Sequence, residues 1–329
     1  MRTAAGSTLG PVLAHLARPR PETPTRLFVA ADSHVTPTAS GTWKVLHRSE
    51  TRLRTAVDVA NDLAVDAFVF LGDLTRDGRD REYAAADAVL AELSSPLVAV
   101  PGNHDVPKVW DDYVAPSAAA FGERYGLGTY PRRVTVGGLD LLCLDTASAG
   151  GRLTETHEGA VSAATLDWLR RTVDEVDHPV VAMHHPLFHP RDHVGSFPES
   201  DFYQLRNHTT LHTLLADRGD VLTLAGHVHL PSTAARDGVR ELAAPSTCSF
   251  PPAGLLLEAG PAGTTVRLVP LAEGAGMAEA YVRAAAGNAH GQGIAAHADD
   301  GLVTDLPQAD ERVDTDVVGA DVPGALRWR

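Results

Sequence analysis

Five short apolar runs in this chain each stop on a residue that can bind a metal or move a proton, and that recurrence restricts the fold more than any other feature. Ala67-Phe68-Val69-Phe70-Leu71 is long enough for one buried strand and ends on Gly72-Asp73, followed by a polar loop that closes on Asp77-Gly78. A carboxylate at the carboxyl end of a buried strand lies where open α/β sheets bind ligands. The glycine before it lets an ion or a neighbouring group come close to the backbone. One such tip is an ordinary turn. Here the pattern repeats: Leu27–Ala31 ends in Asp32-Ser33-His34, Leu97–Val100 in Pro101-Gly102-Asn103-His104-Asp105, Val180–Met183 in His184-His185-Pro186, and Val221–Ala225 in Gly226-His227-Val228-His229.

Between these runs lie helical segments. Leu53, Ala56, Val57 and Ala60 follow helical spacing between Ser49 and Leu63, with Ser49 as the expected N-cap. A second helix is predicted near Arg81–Leu93, a capped amphipathic one over Ser162–Val176, and another near Asn207–Asp217. Strand and helix in alternation predict βαβ units and parallel strands, whose polar tips gather at one rim of the sheet. Gly137-Gly138 marks a hairpin between Arg132–Val136 and Leu139–Asp145. Val239–Ala243, Gly254–Glu258 and Thr264–Pro270 alternate like antiparallel strands and predict a second sheet packed on the first. Leu187–Arg206 is too long for a simple connection.

The ends read differently. Residues 1–25 carry the proline-spaced stretch Arg18–Pro24 and are expected to be a mobile or draped leader. The main domain is placed at 26–272. In the extension 273–329 only Ala278–Ala286 reads as helix, and that tail is a candidate arm for partner binding or homo-oligomer formation.

The formal net charge of −14, from 28 basic and 42 acidic residues, disfavours duplex nucleic acid and anionic membranes as partners. Lys44 and Lys108 are the only lysines. Cys143 and Cys248 sit in apolar segments and read as buried thiols in a reducing compartment. The N-terminus lacks the apolar core of a signal peptide and no segment reaches transmembrane length, so a cytoplasmic protein is expected.

The tips offer carboxylate, imidazole and one amide, with no thiolate. That mixture suits Mn, Fe or Zn rather than Ca. Seven such groups are too many for one ion and suit two that share a carboxylate; two ions about 3.5–4 Å apart would clamp a phosphoryl group.

In this order the blocks Asp32-x-His34, Gly72-Asp73, Gly102-Asn103-His104-Asp105, His184-His185-Pro186 and Gly226-His227-x-His229 resemble the calcineurin-like metallophosphoesterases. Gly72-Asp73-Leu74-Thr75, Met183-His184-His185-Pro186 and Ala244-Pro245-Ser246-Thr247-Cys248 are most similar to the bacterial class III cyclic nucleotide phosphodiesterases and their glycerophosphodiesterase relatives. The resemblance implies a four-layer α/β/β/α sandwich, two mixed sheets flanked by helices. It implies one metal on Asp32, His34 and His229, a second on Asn103, His184 and His227, and Asp73 bridging both. The choice of His184 over His185 follows the Met-His-x-Pro frame. His104 is implied to contact the phosphate and to protonate or stabilise the leaving oxygen, with Asp105 orienting its imidazole, while a hydroxide bridging the metals attacks phosphorus. The implied substrate is a small phosphodiester, a cyclic nucleotide first. A phosphomonoesterase or nuclease on the same site, and a non-catalytic scaffold, are the competing readings. Pro186 is followed by Leu187 where close relatives often carry a second proline, which leaves substrate choice open. Arg76 reads equally as a contact for a second phosphate substituent and as a solvated loop group, and histidines 189, 193, 208 and 212, near enough in sequence to line the mouth of the site, read mostly as surface groups.

Overall fold

The computed structural model describes residues 9–38, 42–109, 111, 113–126, 128–148, 158–198 and 201–312. In chain order the strands are β1 (Val12–Leu16), β2 (Thr25–Ala30), β3 (Ala67–Phe70), β4 (Leu97–Ala99), β5 (Arg132–Val136), β6 (Leu139–Cys143), β7 (Pro179–Ala182), β8 (Val221–Ala225), β9 (Ser232–Arg236), β10 (Val239–Ala243), β11 (Ala253–Gly260), β12 (Gly263–Pro270) and β13 (Ala309–Asp310). The helices are α1 (Ser49–Leu63), α2 (Asp80–Leu90), α3 (Ala118–Arg124), α4 (Ala163–Thr172), α5 (Pro190–Val194), α6 (His208–Arg218), α7 (Ala275–Ala285) and α8 (Ala289–Asp299).

The strands form two mixed sheets, ordered β13-β1-β12-β11-β2-β3-β4 and β5-β6-β7-β8-β10-β9. Strand periodicity sorts their side chains into layers. Leu27, Val29, Val69 and Val98 point inward and meet Leu141, Val180, Leu222 and Leu242 of the other sheet. From the opposite faces, Phe28, Phe68 and Phe70 pack on Leu53, Val57 and Ala60 of α1, and Leu142 and Val181 pack on Leu169 of α4 and Leu211 of α6. Helix, sheet, sheet, helix is the layer order that the resemblance implied.

The second sheet is not the one that alternation suggested. β11 and β12 return to the first sheet, where β11 pairs antiparallel with β2, while β10 runs parallel to β8. Alternating apolar residues mark a strand without marking its neighbour. The polar tips consequently come from two sheets: those after β2, β3 and β4 meet those after β7 and β8 across the inter-sheet seam.

Two other expectations change. Part of the leader is a strand: β1 pairs with β12, Pro19 and Pro21 are buried, and the Thr264 hydroxyl donates to the Pro19 carbonyl at 2.6 Å. The extension is built into the same body, since β13 pairs with β1 and Ala280, Ala284, Ile294 and Ala295 of α7 and α8 pack on Val45, Phe197, Val228 and Leu230. Residues 1–8 and 313–329 lie outside the described part. Ser49 is the first helical residue rather than the N-cap; a 3₁₀ turn at Leu46–Arg48 precedes it, and its hydroxyl accepts from the Thr36 amide at 3.2 Å. Ser162 does cap α4, accepting from the Thr165 amide at 3.0 Å.

Candidate metal centre

Each tip leaves its strand through a sharp reversal. Asp32, His34, Asp73, His227 and His229 all hold positive φ, between 42° and 68°. Left-handed backbone at a residue with a Cβ costs on the order of 1 kcal/mol or more, and it persists where surrounding structure fixes it. Here it turns five side chains back over the strand ends. The glycines are set by contact: a Cβ on Gly102 would stand 2.2 Å from the amide nitrogen and Oδ1 of Asp73, and one on Gly226 would stand 2.8 Å from Asp32 Oδ2.

Two groups of buried ligand atoms result. In one, His229 Nε2 lies 3.1 Å from Asp32 Oδ1 and 3.4 Å from His34 Nε2. In the other, His184 Nε2 lies 3.1 Å from Asn103 Oδ1, and the His184 and His227 rings are 5.1 Å apart. Asp73 stands between them, with Oδ1 3.4 Å from His184 Nε2 and Oδ2 3.7 Å from His34 Nε2. The hydrogen bonds around the rim decide which atoms carry lone pairs inward. His184 Nδ1 donates to the Leu71 carbonyl at 2.7 Å, so in the neutral ring Nε2 is an acceptor facing another acceptor, Asn103 Oδ1. Asp32 Oδ1 is buried without a hydrogen-bond donor. Lone pairs converging on each other in a buried site need a cation or a proton between them, and this donor set fits a pair of N/O-preferring metal ions.

The charges respond to that crowding. Burial, helped by the nearby Asp73 carboxylate, pushes Asp32 up to about 7. Burial also opposes ionisation of Asp73, yet His184, His104 and His34 hold it well below the usual carboxylate range. For His184 burial alone would lower the value, but Asp73 overrides it and raises the ring to about 9. His34 and His229 are driven well below the ordinary imidazole range by burial and by the ammonium of Lys44. That ammonium lies 2.7 Å from His34 Nε2.

The contacts of Asp105 lead away from the His104 ring that it was implied to orient. The His104 amide donates to Asp73 Oδ1 at 2.8 Å, and its ring Nδ1 meets the Arg76 carbonyl at 2.5 Å, leaving Nε2 4.0 Å from Asp73 Oδ2. It is therefore Arg76, through its backbone, that orients the imidazole. The Asp105 carboxylate instead accepts from the amides of Leu74, Thr75 and Gly102 and from the Thr75 hydroxyl, at 2.8–3.1 Å. It ties the loop after β3 to the loop after β4. A carboxylate is needed because one residue must take four donors.

His185 has its Nδ1 2.9 Å from the Thr146 hydroxyl, and its ring stays 4.6 Å from that of His227, so that it, His184 and His227 also offer ligand atoms within 4.8 Å of one another. The Arg76 guanidinium is exposed beside Asp77. His189 caps α5, His193 pairs in the interior with Glu241 at 3.1 Å, His208 holds the Leu205 carbonyl, and His212 faces Asp237. Cys143 and Cys248 are free buried thiols pushed up to about 12 by burial.

A cavity of about 380 Å³ opens over the two groups, its floor formed by Asp73, His104, His227 and His229. Lys44, Trp43, Tyr203 and His290 also line it and were not singled out from sequence. The rarity of lysine is the one signal that could have drawn notice to Lys44; His290 lies in a segment without helical periodicity.

The calcineurin-like phosphoesterase family matches residues 25–231, more than half of the chain, and the chain belongs to that family. It is 30% identical over 208 residues to a protein of Rhodococcus erythropolis named a probable cyclic nucleotide phosphodiesterase, covering 61% of this chain and 64% of that one. It is 33% identical over 128 residues to the glycerophosphodiester phosphodiesterase GpdQ of Enterobacter lignolyticus (37% and 42% covered), and 31% identical over 188 residues to the 3',5'-cyclic adenosine monophosphate phosphodiesterase CpdA of Escherichia coli K12 (56% and 61%). The chain thus spans less than two thirds of the length of these relatives. Among solved structures, a dimetal phosphatase of Danio rerio superimposes with a TM-score of 0.58 at 18% identity, covering 76% of this chain and 97% of that one, which shows a shared fold. Among the described residues no helix is long and apolar enough to cross a membrane.

Proposed function

We propose that this chain hydrolyses small phosphodiesters at a two-metal centre, with one ion on Asp32, His34 and His229, the other on Asn103, His184 and His227, and Asp73 shared. The observation that carries the reading is Asp73 itself, whose two oxygens face two separate groups of buried ligand atoms. His184 suits the second group better than His185 because its Nε2 faces both Asp73 and Asn103. A pair of Mn, Fe or Zn ions held by these residues would supply positive charge to the phosphoryl oxygens and lower the pKa of the water that attacks phosphorus.

The chain's own groups do the rest. Asp73, fixed by the His104 amide, sets the spacing of the two halves. With Nδ1 tied to the Arg76 carbonyl, His104 presents Nε2 to the cavity, where it holds the proton that the departing alkoxide takes up. Asp105 keeps the loops bearing Asp73 and Asn103 in register. Relatives named for cyclic nucleotides and for glycerophosphodiesters support a diester as substrate. The test is hydrolysis of bis(p-nitrophenyl) phosphate by Mn-reconstituted protein, abolished in Asp73→Ala. Turnover of p-nitrophenyl phosphate alone would replace the diesterase reading by a monoesterase one, and failure to bind added Mn would favour a non-catalytic scaffold.

A further inference from the structure

The cavity has a wall as well as a floor, and the wall comes from parts of the chain that the metal groups do not use. Trp43, from the connection between β2 and α1, stacks on His290 of α8 at 4.9 Å between centroids and 24° between planes. Tyr203 meets His290 edge-on at 4.9 Å, and Phe202 and Asn288 complete the lining. This wall is held to the floor directly. His290 Nε2 donates to the carbonyl of Val228, the residue between His227 and His229, at 2.8 Å, and the Trp43 ring lies 5.1 Å from that of His229. Close packing fixes it further: a Cβ on Gly287 would stand 2.3 Å from Trp43 Cβ.

We infer that Trp43 and His290 form a stacking wall that selects a phosphodiester with a planar aromatic arm, a nucleobase or an aryl group, over one with a polyol or quaternary ammonium arm. The inference rests on the phosphodiesterase reading and adds to it the side of the pocket that α8 builds. Aromatic faces reward a flat ring by stacking and leave the hydroxyls of a glycerol arm unpaired. Of the charged side chains in the lining, Asp73 belongs to the floor, and Lys44 turns its ammonium to His34 Nε2 at 2.7 Å. Aromatic walls also hold quaternary ammonium groups, but here the Lys44 ammonium already lies 5.5 Å from the centre of the Trp43 ring, so a cationic arm would meet a like charge. The Asn288 side-chain oxygen is engaged in capping α8 through the Gly291 amide at 3.1 Å, which leaves its NH₂ to reach the acceptor edge of a base.

The test compares kcat/KM of the Mn-reconstituted chain on 3',5'-cyclic AMP and on glycerophosphocholine, and titrates AMP against its tryptophan fluorescence. Trp43→Ala is expected to lower the ratio of the two kcat/KM values about tenfold, through KM for the cyclic nucleotide, in line with base–aromatic stacking, and to remove most of the quench. Trp43→Phe keeps a ring and is expected to restore most of the ratio, which separates lost stacking from a damaged fold. A ratio unchanged in both Trp43→Ala and His290→Ala, or a parent that prefers glycerophosphocholine, overturns the wall. If the parent turns over no diester, the titration still decides: a quench lost in Trp43→Ala supports the wall and sinks only the phosphodiesterase reading, while no quench in the parent sinks the wall.

Discussion

Asp73 and Lys44 act on the same few ångströms with opposite charge, and each gives a measurable prediction. Because Asp73 turns one oxygen to each ligand group, Asp73→Ala is expected to leave about no tightly bound metal, whereas His34→Ala removes a ligand from one side and is expected to leave about one ion per chain. Elemental analysis of the purified variants reads that difference directly; equal losses would mean that Asp73 serves one ion. Lys44 donates to the same His34 Nε2 that a metal would need. Two like charges about 4 Å apart repel by roughly 4 kcal/mol in the dielectric of a protein surface, most of which a flexible lysine relieves by swinging away. Lys44→Met is therefore expected to tighten Mn binding about tenfold in calorimetric titration of metal-stripped protein. Weaker binding would show that the ammonium supports the ligands rather than competing for them.

At the level of elements, the site depends on strands that end in left-handed residues with no room behind them. Gly102→Ala would force a methyl into Asp73, and its cost should appear as metal affinity reduced by about tenfold or more while the β-sheet circular dichroism is kept. The strand tips were legible in the sequence because five apolar runs stop on the same few residue types, and the fold gathers those tips at one seam. The grouping of strands into sheets was not legible: β10, β11 and β12 alternate alike, yet β10 joins one sheet and the others join its partner. β1 was hidden because Val12–Leu16 is a short run beside prolines, and its pairing with β12 and β13 is what makes it a strand. α8 was hidden by glycine. Gly291 and Gly293 lower its intrinsic helix propensity, but they sit against Trp43 and Pro198, so the residues that weaken the local signal are those that allow the helix to dock. Asp105 shows the same limit at a single position, since its place next to His104 in sequence suggested a partnership that the backbone directs elsewhere.

Over the whole molecule, two sheets that meet at a charged seam would make a bound metal a structural as well as a chemical component. The seam is crossed by His184 Nδ1 to the Leu71 carbonyl and by the His227 amide to Asp32 Oδ2 at 2.9 Å, both beside ligand atoms. With metal removed by a chelator, protons have to satisfy those lone pairs, and the raised values of Asp32, about 7, and His184, about 9, express this. Both groups bind protons more readily in the folded chain than in the unfolded one. The stability they contribute is thus fully present below their unfolded values and is lost as pH rises through about 7 for Asp32 and about 9 for His184. Metal binding works in the other direction, since ligands give up their protons to bind and affinity rises with pH. The melting temperature of chelator-stripped protein is therefore expected to fall relative to that of Mn-loaded protein between pH 6 and 9. With Mn about 100-fold above its Kd, binding adds about 2.7 kcal/mol, which for a chain of this size raises the melting temperature by about 4 °C, and that gap should be wider at pH 8.5 than at pH 6.5. Thermal unfolding followed by fluorescence at both pH values measures it. A gap that stays constant or narrows with pH would show that protons do not hold these side chains together when the metal is gone.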